Sequence, residues 1–144
     1  MRINAINPKY LTDQHLIAEY RELLMATKAL ERNQHTNSPI PKEYRLGTGH
    51  VNFFKNKIGY LKKRHVALKN EMTRRGFTNR HNIHSEVFPE NMCNDWKPSK
   101  KDRKVSADRI YSRIMEKPQW YRYCGKYNSP EFYLALILKG ISKN

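Results

Sequence analysis

Carboxylates are scarce in this chain: 13 Asp and Glu stand against 28 Lys and Arg, giving a formal net charge of +15 over 144 residues. Such an imbalance points to a polyanionic partner, with nucleic acid ahead of an anionic membrane surface. Long apolar runs are also missing. The first thirty residues hold none behind a basic start, which argues against a signal peptide, and Phe132 to Leu138 is too short to cross a bilayer. A soluble, cytoplasmic protein without membrane attachment is therefore expected. Cysteine is limited to Cys93 and Cys124, so at most one disulfide is conceivable, and in an intracellular chain with this much apolar material both are expected to stay thiols. Neither a repeat nor a low-complexity tract occurs. His81, His84 and Cys93 lack a fourth ligand and a zinc spacing, so no metal is expected. The GTG at 47 to 49 lacks the rest of a phosphate-loop pattern.

What is present is aromatic and helical. Two Trp, 9 Tyr and 5 Phe separate the chain from a disordered basic tail. Its length suits one domain with a moderate core. From Asp13 to Leu24 the run DQHLIAEYRELL has helical period: at about 100° per residue Leu16, Tyr20, Leu23, Thr27 and Leu30 form one stripe. His15, Glu19 and Glu22 line one flank of that stripe, and Arg21 points away. By periodicity alone this is an ordinary helix edge with an ion pair, although a carboxylate there sits beside a core that can shift its proton affinity.

Thr12 is a plausible cap for this helix, which is expected to run to about Asn33. A proline-containing loop follows from Gln34 to Arg45. A second, amphipathic helix is expected through Phe54, Ile58, Leu61, His65, Leu68 and Met72, stopping at Gly76. Its cations Lys55, Lys57, Lys62, Lys63, Arg64, Lys69, Arg74 and Arg75 face a single acid, Glu71, and are expected to build a basic surface. His65 reads as a packed histidine. Residues 78 to 104 read as a long basic connection. A third helix is expected from Ala107, capped by Ser106, to about Lys117, with Arg109 and Arg113 on one face. Trp120, Tyr121, Arg122 and Tyr123 then interleave aromatic and cationic groups in a loop, as base stacking with phosphate contact requires, or else form an aromatic cluster packed on the bundle. Ser129 to Lys139 reads as a short final helix. The fold class is all-α: three main helices, long basic loops and an extra C-terminal helix.

Several blocks occurring in order, RIN at 2 to 4, DQHLIAEYREL at 13 to 23, GTGHVNFF at 47 to 54, LKKR with RRGF at 74 to 77, and KPQWYRYCGK at 117 to 126, resemble the pyrimidine-dimer DNA glycosylase (endonuclease V) family. The resemblance implies a compact helical domain whose amino-terminal segment passes between the main helices. It also implies a bifunctional enzyme that excises cyclobutane pyrimidine dimers and cuts the strand at the abasic site. The family's nucleophile is the α-amine of its first residue. Arg2 should block methionine removal, so Met1 takes that place, and Glu22 is the implied catalytic acid/base. Arg2, His15 and Arg21 are implied to hold sugar and phosphates. Arg109 and Arg113 match basic positions on the third helix, and Trp120, Tyr121, Arg122 and Tyr123 match the lesion-recognition loop.

Arg113 and Arg122 stand where the family pattern has lysine, Met25 stands where a basic residue is expected, and residues 129 to 144 have no assigned role. The implied partner is double-stranded DNA carrying dimers or abasic sites, bound by a monomer without cofactor. The alternatives are a non-catalytic nucleic-acid-binding protein, and a family enzyme acting on another damaged base.

Overall fold

Helix forms wherever apolar side chains recur at helical spacing. The computed structural model describes residues 2–143. Among them a 3-10 turn at Pro8–Tyr10 precedes helix α1 (Asp13–Arg32), the one-turn α2 (His50–Phe53) and α3 (Ile58–Arg75). Two further 3-10 turns, Ser85–Val87 and Glu90–Met92, lead to α4 (Lys100–Glu116), the short strands β1 (Arg122–Tyr123) and β2 (Lys126–Tyr127), and α5 (Pro130–Ser142). The fold is all-α apart from one hairpin, with three long helices and the expected C-terminal one. Among the described residues no helix is long and apolar enough to cross a membrane.

Residue contacts gather into two units. One holds the chain up to Ile3 together with Glu19–Lys97; the other holds Asn4–Ala18 and the chain from Pro98 onward. In the first unit, Tyr20, Leu23, Thr27 and Leu30 of α1 are buried, as are Ile58, Leu61, His65, Leu68 and Met72 of α3, so both predicted stripes are core. Glu19 and Arg64 join these helices: the guanidinium donates from Nε to Oε2 at 2.7 Å and from Nη2 to Oε1 at 2.9 Å. His65 stacks on Tyr20 with ring centroids 5.0 Å apart.

The second predicted helix begins later than expected. Phe54 belongs to the turn after α2, and its ring packs edge-on against Phe53 at 5.0 Å. The glycines at 47 and 49, both at positive φ, start a separate helical turn there, and Phe54 reaches the same apolar side from outside α3. Gly76 ends α3 as read: at φ 85° it lets the Phe77 N–H reach the Met72 carbonyl at 2.8 Å. Gly59 is required by close approach, since a Cβ there would lie 2.6 Å from the Cys93 carbonyl oxygen.

Three of the eight cations counted toward the basic surface do not serve it. Arg64 and Lys55 are buried, the latter bonded to Thr36, and the Arg75 head is fully covered against Glu71. Helical periodicity places a side chain on a face but cannot say whether a partner elsewhere claims its charge.

In the second unit α4 starts at Lys100, before the expected Ala107. Ser99 and Asp102 form a reciprocal capping box, so the basic KKDRK stretch is helix rather than loop. Ser106 is consequently no cap. It lies within α4, buried, and its Oγ accepts the Ala5 N–H at 2.8 Å. Ser129 caps α5, taking the Phe132 N–H at 3.2 Å. Ala107, Ile110 and Ile114 of α4 and Tyr133, Leu136 and Ile137 of α5 are buried where these two helices meet. The Arg103 guanidinium crosses from α4 to the Ile141 carbonyl near the end of α5 at 2.8 Å. Gly140 leaves room for Ile6, whose Cδ1 would stand 3.2 Å from an added Cβ.

Candidate active site

In the first unit the amino-terminal segment is held by side chains. The Arg2 N–H donates to Glu22 Oε2 at 3.3 Å. The Ile3 N–H donates to His50 Nε2 at 2.8 Å, and the Tyr44 hydroxyl donates to the Ile3 carbonyl at 2.8 Å. Because Nε2 accepts, the imidazole proton sits on Nδ1, which donates to the Arg45 carbonyl at 2.7 Å. Burial lowers the His50 pKa below the ordinary imidazole value, against the raising effect of the Arg45 carbonyl, so the ring stays neutral as this pattern requires. Glu22 and Arg2 are half-buried, while Arg21 is exposed. Glu22 thus touches the backbone of the amino-terminal segment at Arg2. Met1 itself lies outside the described residues.

Glu19, which sequence spacing grouped with Glu22, has another task. Its carboxylate is taken by Arg64, with the two side chains 1% and 5% exposed. Burial alone would lower the arginine's pKa, but the carboxylate raises it. That leaves Glu22 as the partly open acid on this flank.

The second unit carries the remaining predicted residues. His15 lies parallel to Tyr121 with ring centroids 4.9 Å apart, and its Nδ1 is 2.7 Å from Thr12 Oγ1. Tyr121 is buried, and its carbonyl accepts the Tyr133 hydroxyl at 2.9 Å. Trp120, by contrast, is 56% exposed. The stretch expected to be a loop is a hairpin: Arg122 pairs with Tyr127 and Tyr123 with Lys126, across a turn in which Cys124 (φ 51°) and Gly125 (φ 78°) both adopt positive φ.

Residues at the start of α1 splint this hairpin. Asp13 accepts the Cys124 and Gly125 N–H groups at 3.0 and 2.7 Å. Gln14 donates to the Trp120 carbonyl at 2.8 Å and accepts the Arg122 N–H at 3.0 Å, spanning Tyr121 on both sides. The Tyr123 hydroxyl donates to the Lys9 carbonyl at 2.7 Å. Arg122 lies over the Tyr127 ring at 5.4 Å. On α4, Arg113 is exposed beside Glu116 at 3.5 Å, and Arg109 holds a buried Nη2 that has no hydrogen-bond partner among the described residues.

Sequence spacing missed His50, Tyr44, Asp13 and Gln14. Their partners are backbone groups far along the chain, which no local pattern encodes. The glycines before His50 were the one available signal that its position is set by a special turn.

A model of the pyrimidine dimer DNA glycosylase family matches residues 1–85, more than half of the chain. The chain belongs to that family. Membership implies glycosylase action at pyrimidine dimers, with DNA that contains them as substrate. Arg2, His15, Arg21, Glu22 and His50 fall inside the match; Arg109, Arg113 and the hairpin fall beyond it.

Proposed function

We propose that this protein is a bifunctional repair enzyme, a pyrimidine-dimer glycosylase that also cleaves the strand as an abasic-site lyase. Its nucleophile is the α-amine of Met1 and its acid/base is Glu22. The observation that carries this reading is the bond from the Arg2 N–H to Glu22, because that nitrogen is the one joined to residue 1. An α-amine has a reference pKa of about 7.7–8.0, so an appreciable fraction is free base near neutral pH, unlike a lysine near 10.4.

The amine lone pair attacks C1′ of the damaged nucleotide. The C1′–N bond breaks, with its electrons leaving on the pyrimidine, and the amine gives up a proton. Opening of the sugar ring yields an imine. Loss of a C2′ proton then expels the 3′ phosphate, which cuts the strand by β-elimination. Glu22 stabilises the positive charge developing on the sugar and carries protons between these steps. Each step needs only a nucleophile and proton transfers, so no cofactor enters.

Arg2 and Arg21 in one unit, and His15, Arg109, Arg113, Trp120, Tyr121, Arg122 and Tyr123 in the other, serve DNA binding. The exposed Arg113 guanidinium and the exposed Trp120 ring suit phosphate contact and base stacking. Reaching a dimer inside a duplex requires a kinked DNA with a nucleotide out of the stack. The whole chain acts as one domain and as a monomer in the cytoplasm.

Borohydride reduction in the presence of a duplex bearing one cyclobutane dimer tests the chemistry. A covalent adduct is expected, and it should vanish when the amino terminus is blocked. Tight binding without an adduct would overturn the enzyme reading in favour of a non-catalytic DNA-binding protein. A panel of damaged duplexes, run in the same assay, ranks the dimer against other lesions.

A further inference from the structure

We propose that His50 and Tyr44 are positioning residues for the amine, acting through the backbone of Ile3; this rests on the amine nucleophile proposed above. Backbone groups are ordinarily satisfied by other backbone groups in helices and sheets. Here Arg2 and Ile3 lie outside both, and their hydrogen bonds go to side chains: Arg2 N–H to Glu22, Ile3 N–H to His50, Ile3 C=O to Tyr44. The backbone from which residue 1 emerges is thus fixed at three successive points. Ile3, His50 and Tyr44 are all buried, so water does not compete for these bonds.

The imidazole itself cannot turn. Its Nδ1 is committed to the Arg45 carbonyl, and its faces and edges meet Tyr44 at 5.7 Å and Phe54 at 5.6 Å. The ring is delivered by a turn whose Gly49 sits at φ 86°, with Pro41 Cγ only 3.2 Å from where a Cβ would stand. A neutral ring with a fixed tautomer therefore presents an acceptor at one place, and Tyr44 presents a donor at another. Together they set the height and rotation of the segment carrying the nucleophile. A nucleophile displaced by about 1 Å loses about 10²-fold in rate.

Three variants of the full chain test this: Tyr44→Phe, His50→Leu and His50→Gln. The reaction measured is single-turnover borohydride trapping at a duplex with a preformed abasic site, at saturating DNA, beside the Kd for a duplex with a reduced, unreactive abasic analogue. Tyr44→Phe and His50→Leu are expected to lower the trapping rate by up to about 10²-fold with Kd unchanged. His50→Gln, which keeps an acceptor and a donor on its amide, should recover most of the rate. The proposal is overturned if folded variants trap at the wild-type rate, if rate and DNA affinity fall together, or if His50→Gln is as slow as His50→Leu. Where His50→Leu fails to fold, Tyr44→Phe removes one hydroxyl only and decides the matter. Failure of the amine reading looks different: wild-type trapping would then survive blocking of the amino terminus.

Discussion

Arg64 and Glu19, 45 residues apart in sequence, meet through two parallel hydrogen bonds of 2.7 and 2.9 Å inside the core of the first unit. Removing one partner leaves the other charge buried and unpaired, which costs about 3–5 kcal/mol. Arg64→Met or Glu19→Leu alone should therefore lower the midpoint of urea unfolding sharply. The double variant should recover most of the loss, because two apolar groups of similar size replace the pair. Equal destabilisation by the double variant would show that the pair contributes more than mutual neutralisation.

Glu22 is expected to behave in the opposite way. It is half-buried and touches one backbone N–H, so Glu22→Gln should leave the unfolding midpoint nearly unchanged. Base release in single turnover should fall by about 10²-fold or more, while binding of dimer-containing duplex persists. Unchanged turnover would remove Glu22 from its assigned role.

Adjacent aromatics in the hairpin region should separate cleanly. Trp120→Ala removes an exposed ring, and weaker DNA binding by about 1–3 kcal/mol with an unchanged thermal midpoint is expected. Tyr121→Ala removes a buried ring stacked on His15 and should lower stability first. Identical behaviour of the two variants would contradict this division.

Histidine titration gives a pH dependence of stability with a defined sign. Burial, joined by the Lys69 charge and opposed by a Tyr20 hydrogen bond, lowers the His65 pKa to about 4. In the unfolded chain the ring titrates near 6.5, so below that pH the unfolded state binds a proton that the folded state refuses. His50, also lowered, acts in the same direction. Stability should be full above about pH 6.5 and decline from there toward about pH 4. His65 contributes at most about 3 kcal/mol to that decline. Urea titrations of the wild type and of His65→Phe across this range check it, since the variant should show a flatter profile.

The first two long helices were legible because each has a stripe that the core reads directly: Leu23 and Leu61 are fully buried. Their boundaries were less so. The α4 start was hidden because cationic side chains mask a cap signature that depends on Ser99 and Asp102 alone. Glu22 was singled out through its place in a longer pattern rather than through periodicity, which gave Glu19 an equal claim. The reach of Arg64 across from α3 to Glu19, and the bond from the Arg2 N–H to Glu22, distinguish the two acids. Asp13 and Gln14 were illegible as splints, because the groups they bind are amides and carbonyls at 120 to 125, identical in every residue but proline.

The pairing of Ala5 with Ser106, across 101 intervening steps of sequence, has a consequence for synthesis. A segment made early by the ribosome acquires its partners late: Tyr44 and His50 for Ile3, and then α4 and α5 for residues 5 to 10. Long loop closures of this kind slow folding. The nascent chain thus carries residues 5 to 10 without these partners until most of the polypeptide has emerged, and a chain interrupted before α4 lacks the hydroxyl that Ala5 requires.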